Sequence, residues 1–199
     1  MKAGFHKRRH SRDCVALGVA MLLALPIFFF SAGAPLISPL WAQERRHDPL
    51  NPLEIDQLRD AMMEPEARLK LYVQFSRDRM TKLEQMRSDS KTKDRARQTH
   101  DMLEDFLAVY DELNDNIDMY VGRKDDIRKP LKAVIEADTE FQAKLRALKN
   151  SSDTNAAELS QYEFLLTDAL DTVDSSADDH RKTVVEVEEY MKKKKKQQK

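Results

Sequence analysis

Eight residues between Ala96 and Tyr120 constrain this chain more than any others. Ala96, Thr99, Leu103, Phe106, Tyr110, Leu113, Ile117 and Tyr120 follow one another at alternating steps of three and four. A repeat of about 3.5 residues keeps its members on one stripe of a helix and favours left-handed packing against other helices. A strand, whose side chains alternate every second residue, cannot use this pattern.

The rest of the chain agrees with long helices. Beyond residue 42 there are 157 residues with one glycine (Gly122), four prolines and no tryptophan. Glycine and proline punctuate turns, so their scarcity leaves few of them. No alternating β-branched run suggests a strand. The length suits one domain. The expected fold is all-α, an elongated antiparallel bundle of about four to five helices with heptad-like seams.

Individual helices can be placed. Asn51 caps the first, Pro52 stands at its first position, and Glu54 can reach back to the cap. Leu50 and Ile55 occupy the positions of a hydrophobic staple. This helix should run to about Met63, where Pro65 interrupts it. A second spans Pro65 to about Arg87, with Leu69, Tyr72, Val73, Met80, Leu83 and Met86 inward. The third carries the eight-residue stripe, and Gly122 stands where a C-terminal cap belongs. A fourth, starting between Asp126 and Pro130, presents Leu131, Val134, Asp138, Phe141, Leu145 and Leu148. The last is capped by Asn155 with Glu158, and its stripe is Leu159, Tyr162, Leu166, Ala169 and Val173, then Val184, Val187 and Met191. The polar stretch 174–181 predicts a break or a projection beyond the bundle. Short connections make successive helices antiparallel. Phe75, Phe106, Phe141 and Phe164 give each of the four main helices one core aromatic.

The N-terminus reads as an export segment. Lys2, Lys7, Arg8, Arg9 and Arg12 precede a stretch from Cys14 to Ala42 with no charged residue. Basic head, apolar middle and small-residue exit are the layout of a secretory signal peptide. Leu40-Trp41-Ala42 is the better exit, since Pro35 obstructs a cut after Ala34. Cleavage there separates Ala42 from Gln43. The alternative is an uncleaved anchor, as 14–42 exceeds the roughly 20 residues a membrane helix needs. In both cases the remainder works outside the inner membrane, periplasmic or secreted. Cys14 is the only cysteine and goes with the segment, so the rest can form no disulfide. The organisation is then an export segment 1–42, a disordered start 43–50, a bundle 51–191 and a basic disordered tail 192–199.

Charge limits the partners. Residues 43–191 hold 23 Lys and Arg against 34 Asp and Glu, a net −11, while 192–199 hold six lysines. An acidic body argues against nucleic acid, whose phosphates need a basic surface. Lys192, Lys193, Lys194, Lys195 and Lys196 form the one basic cluster. Its readings are a solvated tail, contact with anionic lipid or envelope polymers, and folding back onto the body.

Chemical motifs are scarce. Pairing the helices about residues 126 and 152 puts His100 and His180 roughly 36 Å apart, too far to share an ion. Both then read as surface or end histidines. Asp138 interrupts an apolar stripe, and the same pairing gives it Asn114 as a register partner. No glycine loop for phosphate and no nucleophile elbow is present. The sequence therefore predicts no catalytic residue, no metal and no cofactor. It predicts a non-enzymatic module that binds other envelope proteins or an anionic envelope surface, as a scaffold or chaperone-like clamp. A homo-oligomer is open to such helices as well. The alternative is a bundle that holds a metal or small ligand in its core.

Overall fold

The computed structural model describes residues 48–198; the export segment and the Ala42–Gln43 junction lie outside the described residues. Those described form six helices and no strand: α1 (Pro52–Asp60), α2 (Pro65–Ser88), α3 (Arg95–Gly122), α4 (Arg128–Lys149), α5 (Ala156–Leu159) and α6 (Glu163–Gln197).

Local chemistry sets the ends of these helices. The Asn51 side chain accepts from the Glu54 amide, and the Glu54 carboxylate accepts from the Asn51 amide. Each otherwise orphaned donor is thereby satisfied. Asn155 caps α5 in the same way through the Glu158 amide. Gly122 does not cap α3, because it is the last helical residue. The left-handed position that ends the turn falls two residues later, on Lys124 with φ of 63°.

Four long helices build the bundle, with a crossover that chain order does not announce. Arg68 bonds Asn116 at 2.8 Å and Arg87 bonds Thr99 at 3.0 Å, so α2 and α3 run antiparallel. Asp138 meets His180 and Arg146 meets Asp174, which makes α4 and α6 antiparallel. Between the pairs the direction is the same. Glu66, Arg77 and Glu84 of α2 bond Lys129, Glu140 and Lys144 of α4 in rising order. α2 packs chiefly on α3 and α4, and α6 on α4 and α3. The connection 123–127 therefore carries the chain across the diagonal, between two helices that meet only through side chains in the core.

Those side chains are among the largest fully buried ones of the described residues. Phe106 and Tyr110 of α3 face Phe141 of α4 edge-on, with ring centroids 5.2 and 6.0 Å apart. All eight residues of the Ala96–Tyr120 stripe are buried. Edge-to-face packing adds about 0.5–1.5 kcal/mol per pair beyond the burial itself.

Four expectations fail in α6. The last helix does not begin at Asn155 and continue; α5 is a single turn, and the chain restarts at Glu163. Tyr162 keeps its expected buried place at 1% exposure, while Phe164, off that stripe, turns outward at 86%. The polar stretch 174–181 is neither a break nor a projection. It lies mid-helix, with Ala177 and His180 buried. Beyond it α6 remains helical through the lysine run to Gln197, where a disordered tail was expected, with residues 192–197 exposed. At 1.5 Å per residue α6 is about 52 Å long.

Two fastenings hold the shorter pieces. Arg79 donates to Glu54 at 2.6 Å and to the Pro49 carbonyl, pinning the start of α1 to the middle of α2. Arg68 holds the Leu58 carbonyl at 2.7 Å near the end of α1. At the other end of the bundle Arg87 and Arg95 both bond Glu158, anchoring α5 to α2 and α3.

Candidate functional site

The most concentrated polar chemistry lies inside the bundle. Tyr110 donates to Asp138 Oδ1 at 2.8 Å, and His180 Nδ1 lies 2.9 Å from Asp138 Oδ2. Three helices each supply one member. Asp138 is wholly buried, and His180 is 4% exposed. With the carboxylate ionised it accepts from both neighbours, since an ionised Asp has no proton to give. Burial, then the charge of Asp138 and the hydrogen bond to it, push the Tyr110 phenol far above its ordinary range.

The expected partner of Asp138 is corrected here. Asn114 sits one turn further along α3 and bonds Ser176 of α6 at 3.0 Å instead. Tyr110 takes the place because the α3–α4 level falls four residues from the expected one. Sequence reasoning missed His180 and read it as a surface or end residue, whereas it is 4% exposed. The α4–α6 pairing centres near residue 159, where Asp138 and His180 meet, because α5 and the turn after it lengthen the connection. A usable signal existed: His180 continues the buried series Ala169, Val173 and Ala177 at helical spacing and leads to Val187.

An Asp–His pair is the orienting half of a hydrolytic triad. The other half would be a nucleophile on Nε2, and no hydrogen bond links Nε2 to a hydroxyl among the described residues. The group acts here as a clasp joining α3, α4 and α6. No cluster of three His, Cys, Asp or Glu side chains able to hold a metal exists among the described residues.

On the surface the charges separate. Asp111 of α3 lies near Asp115, Asp168 and Glu112, and burial together with these charges raises its carboxyl. The opposite character gathers where α3 ends, α4 begins and α6 runs out. Lys124 lies over the Tyr190 ring at 5.7 Å, Lys132 and Lys192 reach Glu188, and Lys129 reaches Glu66. Lys192 to Lys196 extend from this same end. A crevice of about 250 Å³ at the far end, between Leu83 and Leu148, is rimmed by Arg87, Arg95 and Lys144. Glu158 and Glu84 already engage these cations.

Comparison with protein families, curated proteins and solved structures found no match to this chain. Among the described residues no helix is long and apolar enough to cross a membrane, and the 14–42 stretch lies outside them.

Proposed function

We propose that the chain is an exported, non-enzymatic helical module that binds other components of the cell envelope and acts as a scaffold. One observation carries this reading. Six large apolar side chains are exposed among the described residues, and four of them, Met62, Met63, Met119 and Val185, belong to one end of the bundle. Single exposed apolar residues are ordinary, whereas a group at one place marks an interaction surface. Six buried polar groups support the same reading, because Glu54, Arg79, Thr99, Asn116, Asp138 and His180 each join two helices. The basic, charge-free and small-residue order of residues 1–42 supports export.

Site-specific photo-cross-linking in the native envelope tests it. A cross-linker at Met63 should give discrete adducts. One at Gln161, exposed at the opposite end of the bundle, should give none. Equal patterns from both positions would remove the reading. The mass of the native chain in soluble and membrane fractions decides between cleavage at Gln43 and an uncleaved anchor.

A further inference from the structure

We infer that the end of the bundle formed by the α1–α2 turn, the α3–α4 turn and the last turns of α6 docks on an anionic phospholipid surface. The inference rests on the interaction-module reading and names the partner of that surface.

Side-chain pairs place the three segments together. Arg68 grips both the Leu58 carbonyl and Asn116 Oδ1, so the end of α1 and the last turns of α3 share a corner. Met62 and Met63 follow Leu58 by one turn, and Met119 follows Asn116 by nearly one. Lys129 at the start of α4 reaches Glu66 at the start of α2 at 2.7 Å. Tyr190 and Glu188 of α6 meet Lys124 and Lys132.

Charge then separates this end from the rest. Residues 62–66, 119–132 and 184–198 hold ten Lys and Arg against seven Asp and Glu, a net +3. The remainder of 48–198 holds 16 against 26, a net −10. An anionic surface attracts the first set and repels the second, so the field orients the molecule with this end down. The last turns of α6 project lysines in all directions, with no shared face for a specific protein groove. A diffuse anionic plane accepts such an array. The exposed methionines stand where an interface would receive apolar side chains, and flexible thioethers suit a surface without fixed shape. A soluble acidic polymer would use the lysines and leave Met62 and Met63 idle, which is why lipid is favoured.

The test uses residues 43–199, since the described residues 48–198 all fall within one compact unit. Residues 43–199 contain no tryptophan, so Met63→Trp and Phe164→Trp each introduce a single reporter, one at each end. Vesicles of equal phosphatidylcholine and phosphatidylglycerol should bind at least about tenfold more protein than phosphatidylcholine alone, and high salt should reverse it. Emission from Met63→Trp should shift to the blue on anionic vesicles while that from Phe164→Trp stays constant. Changing Lys192 to Lys196 to Gln should lower binding at least about tenfold, with unchanged circular dichroism. Equal binding to both vesicle types, or equal shifts from both reporters, overturns the inference. Binding to soluble dextran sulfate with no vesicle-induced shift at Met63→Trp also overturns it and assigns the end to polymers. In either failure, protein adducts from Met63 in the envelope would leave the scaffold reading standing.

Discussion

His180 and Asp138 meet at 2.9 Å across 42 positions of sequence, and Tyr110 closes the group from a third helix. A wholly buried carboxylate with two hydrogen-bonding neighbours is costly to disturb, because any partner left behind stays dry. Tyr110→Phe removes one donor and should lower stability by about 1–3 kcal/mol. Asp138→Ala strands both neighbours and should cost more than Tyr110→Phe. Urea unfolding with an unchanged slope measures both; a neutral Tyr110→Phe would show that the clasp carries no stability.

Alkaline conditions test the same hydroxyl. Burial raises Tyr72, Tyr110 and Tyr120 above the ordinary phenol value of 10.0. The unfolded chain therefore releases these protons first, and stability present below pH 10 falls as pH rises beyond it. Melting temperature followed from pH 8 upward should decline near pH 10. Tyr110→Phe, which has no phenol to ionise, should flatten part of that decline relative to its own value at neutral pH.

The α1 fastening responds to acid instead. Burial alone would raise Glu54, but its hydrogen bonds with Arg79 and Asn51 outweigh it and hold the carboxyl below its ordinary value of 4.5. Its contribution is complete above that pH and is lost as pH falls through the lower folded value. Glu54→Gln leaves the Arg79 guanidinium buried without its counter-charge, and breaking such a pair costs about 3–5 kcal/mol. Limited proteolysis should then cut first between Asp60 and Pro65, while the α2–α6 core stays protected.

Two phenylalanines of the sequence-expected core now separate. Phe141 is fully buried against Phe106, and Phe164 is 86% exposed. Phe141→Ala should cost about 3–5 kcal/mol. Phe164→Ser should change stability by no more than about 0.5 kcal/mol. Thermal unfolding of the two variants side by side distinguishes them, and a large loss at Phe164 would place it in the core after all.

The legible and illegible parts divide along a physical line. Local rules read correctly: Asn51 with Glu54, Asn155 with Glu158, Pro65 as a restart, and the buried stripe from Ala96 to Tyr120. Asp138 was also readable as a buried polar residue from its apolar neighbours alone. What failed was the level at which helices meet. An error of one turn exchanged Asn114 for Tyr110. A longer one, caused by the extra turn of α5, hid His180, while Phe164 points outward because it lies off the Tyr162, Leu166, Ala169 and Val173 stripe. Sequence period fixes which face is buried; the lengths of connections fix what lies opposite, and these are set by turns whose geometry leaves little trace in composition.

The diagonal passage from α3 to α4 also orders the molecule in time. The α2–α3 hairpin emerges whole, ahead of the helices that cover its inner side. For those seconds Phe106 faces water where Phe141 will stand, and the Tyr110 hydroxyl has only solvent to bond. α6 arrives last and closes everything before it. A chain that stops short of α6 thus keeps its early hairpin permanently half-finished, whereas one that begins after α1 loses only a strap.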